Sequence, residues 1–313
     1  MKISFITTTL NEEKSIDSFL SSIAKQTQKP EEIIIVDAGS TDQTVKKIKT
    51  YQKKLPIKLI VESGVNRSRG RNIAIKQARG EIIAVSDAGC ILDPNWLKEI
   101  TSPLKKKNVS VVAGSYQPIA KTPFQKCLAF YTCADVYQKN KNRFLPSSRS
   151  IAFKKNVWKK VGGYPKNLNY CEDLVFDQKL KRAKYYFHFA PKAVVYWPQR
   201  KTPKQAFRQF YNYAFGDGRV FFSPLQTHSV KISLIFLRYL IGLIIFGLAI
   251  KYPIWRPIFA FIFFAYLAWP IIKTRKNLSG SALFLSPLMQ LLSDFAVMLG
   301  ATRGILENIK KKV

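Results

Sequence analysis

Four carboxylates in this chain stand where an open α/β sheet holds its ligands. Asp37 ends the apolar run Ile33-Ile34-Ile35-Val36, Asp87 follows Ile82-Ile83-Ala84-Val85-Ser86, and Glu172-Asp173 opens a helical stretch after Tyr170-Cys171. A carboxylate at a strand's C-terminal end can accept from a ribose hydroxyl or a base N–H. The small residues Ala38-Gly39-Ser40 after Asp37 let the chain turn without blocking a ligand. Asp37 could equally cap the next helix, as Ser40 and Asp42 could. Asp87 can ligate Mg²⁺ or Mn²⁺ bridging diphosphate oxygens, or serve as a turn acid, with Asp93 six residues on. Adjacent helical positions do not share a face, so Glu172 and Asp173 should differ in role. One can reach into a cleft as a general base while the other caps the helix or pairs with a cation. Arg67, Arg69 and Arg71 crowd the stretch from Gly64 to Asn72, a helix start suited to phosphate or simply a solvated basic turn.

Short apolar runs alternating with helical patterns must position these groups. Strands are expected at Lys2–Thr9, Ile33–Val36, Ile57–Val61 and Ile82–Val85, and helices capped by Asn11 and running to about Gln26, after Ser40-Thr41-Asp42 to Tyr51, and over Ser68–Ala78. Pro94 starts a helix through Leu104. Near-continuous apolar strands joined by helices predict a mostly parallel central sheet covered on both faces. Further on, the pattern predicts a strand at Val109–Tyr116, a helix over Phe124–Lys139, a strand at Ser147–Phe153 and a helix over Lys155–Val161. A Gly162-Gly163-Tyr164-Pro165 turn precedes a helix over Glu172–Arg182. A strand pair around Pro191 and a helix from Thr202-Pro203 to about Phe222 complete this part.

The ordered motifs resemble family 2 glycosyltransferases over about residues 1–220. They are Thr8-Thr9-Leu10-Asn11-Glu12-Glu13, Ile35 to Asp42, Gly70-Arg71-Asn72-Ile73-Ala74, Ala78 to Gly89, and Cys171-Glu172-Asp173-Leu174. The resemblance implies a GT-A fold, a nucleotide-diphosphate sugar donor and inversion at the anomeric centre. By position, Thr8 or Thr9 with Glu12 and Asp37 would hold the nucleoside, and Arg71 would lie near the nucleotide. Asp87 would be the first acid of the family's DxD signature, holding metal and diphosphate. Asp173 would be the catalytic base, with Glu172 beside it. Phe207 to Tyr211 and Gly216 to Arg219 resemble the region that closes over donor and acceptor. Gly89 replaces the second DxD acid, which thins the expected site for Mg²⁺ or Mn²⁺. The Gln-x-x-Arg-Trp motif of processive synthases is missing, which favours addition of one or a few sugars.

Composition sets the surroundings. The 313 residues carry 51 Lys and Arg against 19 Asp and Glu, a net charge of +32. Between Ile100 and Cys171 the single acid is Asp135, among 14 basic side chains. Such an excess implies an anionic partner. Nucleic acid is one reading, but three apolar segments at about 233–250, 254–272 and 282–300 favour anionic lipid, with no nucleic acid expected. The domains are expected to be a catalytic one over 1–222 and a membrane region over 229–313. The first apolar run, Ile3 to Leu10, is too short for the core of an export signal, and four cysteines without CxxC spacing predict free thiols and no zinc site. These features predict a multi-pass protein of the cell membrane with its catalytic domain in the cytoplasm, acting on a lipid, lipid-linked or cell-envelope glycan acceptor. A catalytically inactive membrane protein retaining the fold, or a nucleic-acid binder, are the alternatives. Lys273 to Lys276 then lie inside. A full third crossing would put Lys310-Lys311-Lys312 outside against the charge rule, so the third segment is expected not to cross.

Overall fold

The computed structural model describes residues 1–133 and 145–310. Asp135, Tyr137, the rest of the helix expected to reach Lys139, and Lys311-Lys312 lie outside the described residues. In chain order the elements are β1 (Ile3–Thr9), α1 (Ile16–Ala24), β2 (Glu32–Asp37), α2 (Thr44–Tyr51), β3 (Ile57–Val61), α3 (Arg67–Gln77), β4 (Ile82–Val85), β5 (Ile91–Leu92) and α4 (Trp96–Thr101). Next come β6 (Val111–Ile119), α5 (Pro123–Thr132), β7 (Ile151–Lys154), α6 (Lys155–Lys160), α7 (Glu172–Arg182) and β8 (Phe187–Pro198). The chain continues with α8 (Pro203–Arg219), α9 (Ser229–Lys251), α10 (Arg256–Thr274), α11 (Gly280–Phe284) and α12 (Ser286–Lys310). Two compact units form: one of Met1–Ile119 with the described part of Asp135–Pro198, the other of the described parts of Ala120–Ala134 and Gln199–Val313. This division by packing places α5 and α8 with the apolar helices, whereas composition divides the chain near residue 222.

The first unit is built on one eight-stranded mixed sheet in the order β3-β2-β1-β4-β7-β6-β8-β5. β3, β2, β1 and β4 run parallel, while β7 is antiparallel to both β4 and β6. Every residue of β2 and β4 is buried, as strands covered on both faces require. One face packs Ile6, Ile34, Val36, Ile83 and Phe153 against Ala74, Ile75, Phe176 and Leu180. On the other, Phe5 meets Phe19 and Trp96 with ring centroids 6.0 and 5.7 Å apart. From β1 the chain moves to β2 on one side and reaches β4 on the other. That reversal opens a crevice at the C-terminal ends of the strands, where open α/β sheets bind ligands. Thr9, Asp37 and Asp87 stand at these ends.

Local differences from expectation have physical reasons. Asn11 does not cap α1: it adopts a left-handed φ of 54°, and its side-chain oxygen accepts from the Thr41 N–H at 2.9 Å. The residues around Pro191 form one strand, β8, rather than a pair, because it runs beside β6 with a register shift between Ala113 and Ser115. β5 was not anticipated; its two residues are too few to show a period.

In the second unit, α5 starts with a reciprocal capping box between Thr122 and Gln125, and Thr202 caps α8. α8 and α12 approach until their backbones touch. A Cβ on Gly218 would sit 2.4 Å from the Ala301 carbonyl oxygen, one on Gly300 2.2 Å from that of Tyr211, and one on Gly304 2.3 Å from that of Phe215. Three helical stretches, Ser229–Lys251, Pro253–Thr274 and Gly280–Lys310, are long and apolar enough to cross a membrane. Asp294, buried on α12, accepts hydrogen bonds from Arg238, from the Tyr266 and Tyr239 hydroxyls at 2.8 and 3.3 Å, and from Gln290 at 2.8 Å. The one acid between residues 282 and 300, in the third apolar segment, is thereby fully partnered.

Candidate active site

Arg71 organises the crevice. It lies in α3, which Asn66 caps by accepting from the Arg69 N–H at 2.9 Å, and α3 fits against β1 because Gly70 has no side chain to strike Thr8. The Arg71 side chain is 2% exposed and bridges two acids, reaching Asp87 at 2.7 Å and Glu172 at 2.6 Å. Its guanidinium also lies 5.4 Å from the centre of the Tyr164 ring. The Gly-Gly-Tyr-Pro turn puts that ring in place: Gly162 and Gly163 take φ of 72° and 67°, and the Asn72 side-chain oxygen accepts from the Tyr164 N–H at 3.0 Å. Of the three arginines, Arg71 alone is buried. Arg67 is anchored to Asn169, and Arg69 is exposed.

The four acids of the crevice have different surroundings. Asp37 is fully buried, and each of its oxygens accepts two hydrogen bonds, from Thr9 Oγ1 at 2.8 Å, Ser40 Oγ at 2.6 Å, and the N–H groups of Gly39 and Ser40 at 3.0 and 2.7 Å. A carboxylate so engaged has little capacity left; a nucleoside would have to displace one of these donors. Burial pushes the Asp87 carboxyl up, but Arg71, with Arg149 and Arg67, overrides this and holds it below the usual carboxylate range. Glu172 is nearly inaccessible; burial raises its pKa more than Arg71 and Arg67 lower it. Asp173 is partly exposed. It accepts from Leu174 N–H at 2.9 Å, Ser147 Oγ at 3.3 Å and Ser148 N–H at 3.4 Å, in the first turn of α7, where the helix dipole favours a negative charge. The neighbouring acids therefore divide as their adjacency on a helix requires: Glu172 faces Arg71 and Asp173 does not.

Thr8 and Glu12 are partly exposed at the same edge of the sheet. Glu12 Oε2 accepts from the Ser15 hydroxyl, and the same oxygen is 3.9 Å from where a Cβ on Gly89 would stand. Asp93 is engaged elsewhere, accepting from the Asn95 N–H at 3.0 Å and the Tyr196 hydroxyl at 3.4 Å. Among the described residues no group of three or more His, Cys, Asp or Glu forms a metal cluster. Asp87 would be the residue to hold a hard cation, which would need its remaining ligands from a bound substrate and water, as Mg²⁺ commonly does.

Three features escaped the sequence reading. Arg149 lies 3.9 Å from the Trp197 ring centre and 5.8 Å from that of Tyr116, and donates to Ser147 Oγ at 2.8 Å. Ser147 and Ser148 contact Asp173. Asp177, one turn after Asp173, is buried with neither oxygen hydrogen-bonded, and burial, reinforced by Asp173, raises its pKa well above the carboxylate range. No periodicity marks Ser147-Ser148-Arg149. The i, i+4 spacing of Asp173 and Asp177 was the available signal for the last.

A model of glycosyl transferase family 2 matches residues 4–157, and one of glycosyl transferase family group 2 matches residues 82–273. The chain belongs to the family 2 glycosyltransferases. This family 2 member is 26% identical over 200 residues to the O-antigen chain rhamnosyltransferase WbaN of Salmonella anatum, covering 60% of this chain and 63% of that one. It is 30% identical over 185 residues to the poly(ribitol-phosphate) beta-N-acetylglucosaminyltransferase TarS of Staphylococcus aureus, covering 57% of this chain and 32% of TarS. The match thus spans less than two thirds of either relative. Among solved structures, the mannosyltransferase PcManGT from Pyrobaculum calidifontis, in complex with GDP-Man and Mn2+, aligns with a TM-score of 0.58 at 18% identity, covering 100% of this chain and 88% of that one. At that identity the likeness is one of fold, and the fold is GT-A.

Proposed function

We propose that this chain transfers a sugar from a nucleotide-diphosphate sugar to a glycan acceptor carried on a lipid, at the cytoplasmic face of the cell membrane and with inversion. Residues 1–222 would act as the catalytic domain and 229–313 as the membrane region. One observation carries the catalytic reading: of two adjacent acids, Glu172 is locked to a buried arginine and Asp173 is left accessible at a helix N-terminus. Asp173 then takes the proton of the acceptor hydroxyl. The acceptor oxygen bonds to the anomeric carbon, the bond from that carbon to the diphosphate breaks, and the nucleoside diphosphate leaves with the electron pair. Asp87 would hold a divalent ion, which when bound supplies positive charge to the leaving diphosphate. Arg149, gripped by two rings at the same crevice, adds a second fixed positive charge toward the phosphates. Thr8, Thr9, Glu12 and Asp37 line the nucleoside end, with Asp37 shaping the turn. The names of the relatives, which act on O-antigen and poly(ribitol-phosphate), support a glycan acceptor, and the three apolar helices support the membrane.

The test is sugar transfer by Asp173→Asn to a hydroxyl acceptor. Transfer should be abolished while nucleotide-sugar binding persists, and unchanged turnover refutes the assignment. If the acceptor is a lipid phosphate, its oxygen is already ionised and no base is needed. In that case the variant keeps activity on the phosphate and loses it on hydroxyl acceptors.

A further inference from the structure

α9 and α10 form an antiparallel hairpin with a fixed register. The Tyr239 and Tyr266 hydroxyls meet at 2.9 Å, the Phe246 and Phe259 rings lie 5.1 Å apart, and Arg256 donates to the Ala249 carbonyl at 3.3 Å. In this register Ile232, near the start of α9, is level with Lys273, near the end of α10. α12 reaches that same end of the hairpin at two points, through Tyr131 of α5 at the first and directly at the second. Its first residue, Ser286, accepts from the Tyr131 hydroxyl at 3.1 Å, and the Lys273 ammonium lies 5.9 Å from the Tyr131 ring centre. Fifteen residues later Ala301 shares a buried cluster with Ile232 and Ala214, Val297 packing against it. Fifteen helical residues extend about 22 Å. A helix crossing alongside the hairpin would change depth by most of that distance, yet both points are tied to the same end of it. Between them Asp294 meets Arg238 and Tyr239, whose side chains lean toward the start of α9, as helical side chains do, and the Tyr266 hydroxyl of α10.

We infer that α12 lies along the membrane surface, across the end of the hairpin where α9 begins and α10 ends, and does not cross the bilayer. This rests on the reading of α9 and α10 as membrane-spanning. Leu288, Phe295, Leu299, Leu306 and Ile309 are exposed, and their spacing puts them on one helical stripe. The opposite side carries Gly300, Gly304 and Ala301, packed on α8. Phe295 of the stripe meets the Tyr239 ring of α9 with centroids 5.6 Å apart, which joins the stripe to the hairpin, and the acyl boundary of the bilayer is what covers it. Exposed Arg303 and Lys310 flank the stripe, the arrangement of an amphipathic helix bound at anionic head groups. Lys273, Arg275, Lys276 and Lys310 then share one side of the membrane, as the distribution of basic loops requires.

The experiment places single cysteines in the full chain at exposed Tyr252, Lys276 and Lys310 (Tyr252→Cys, Lys276→Cys, Lys310→Cys) and labels membranes from each side with an impermeant maleimide. The four native cysteines are buried, so the unmodified chain is the background control. Lys276→Cys and Lys310→Cys should label from one side and Tyr252→Cys from the other. Labelling of Lys310→Cys together with Tyr252→Cys overturns the inference. Labelling of all three from one side means that α9 and α10 do not cross, which removes the membrane reading itself. Nitroxides at Leu288, Phe295, Leu299 and Leu306, in phosphatidylglycerol–phosphatidylethanolamine vesicles, should report one shallow depth by oxygen and nickel relaxation. A depth that changes steadily along the helix, or full exposure of all four to water, refutes the surface placement.

Discussion

Replacing Arg71 by methionine tests the organisation of the crevice. The side chain joins Glu172 at 2.6 Å and Asp87 at 2.7 Å, with Glu172 4% and Asp87 33% exposed. Removing one partner of a buried ion pair costs about 3–5 kcal/mol because a charge is left uncompensated. Water can reach Asp87 and relieve part of its loss, whereas Glu172 has no such recourse. The expected destabilisation at pH 8 is therefore about 3 kcal/mol, the lower end of that range, or a fall in Tm of roughly 6–12 °C for a unit of this size. Thermal unfolding in detergent, followed by tryptophan fluorescence, measures it. The pH dependence carries the sharper signature. In the native chain Asp87 has a lowered pKa, so its contribution is present above the ordinary carboxylate value and disappears as pH falls through the folded one. Without Arg71 the buried Glu172 binds a proton still more readily when folded than when unfolded, so Arg71→Met should regain stability as pH falls from about 8 to 5. Adding Glu172→Gln to Arg71→Met should restore part of the loss at pH 8 and flatten that recovery. A melt of Arg71→Met within about 2 °C of the native chain, or no recovery from the second substitution, would refute the bridge.

Two other substitutions probe different layers. Arg149→Lys keeps the charge but loses the planar face stacked on Trp197, so the KM for the donor should rise about fivefold, in line with roughly 1 kcal/mol for such a contact, with Tm unchanged; equal kinetics would leave Arg149 a packing residue. Gly300→Val brings a side chain onto the Tyr211 carbonyl and should cost about 1–3 kcal/mol of thermal stability, whereas Gly242→Val, with nothing within 4 Å of its Cβ, should cost little. Equal losses at the two glycines would contradict backbone contact between α8 and α12.

The strand-end acids were legible because burial on both faces of a parallel sheet makes the strand a short apolar run, and the run's end marks the crevice. The adjacency of Glu172 and Asp173 foretold a division of roles through helical geometry alone. What it could not show was the cation that Glu172 meets, since Arg71 is 101 residues away in the chain. Asp37 read as a ligand group because its four donors arrive through the fold, from the neighbouring strand and from the turn that follows. Arg149 stayed hidden because its ring partners, Tyr116 and Trp197, come from two strands paired across the sheet. Asn11 was misread as a cap because its left-handed backbone follows from contact with the Ser40–Thr41 loop, a constraint that the residue type permits but does not announce.

The unequal footing of Glu172 and Asp173 also bears on descent. Losing the carboxylate of Glu172 strips a buried arginine of one of its two partners and threatens the fold, whereas an Asn at 173 still offers an oxygen to the same donors. A single nucleotide change converts an Asp codon to an Asn codon. On the role proposed for Asp173, silent copies of such a protein, intact in shape and inert in chemistry, would lie one mutational step from the active one, and a duplicated gene could drift there without first passing through an unfolded product.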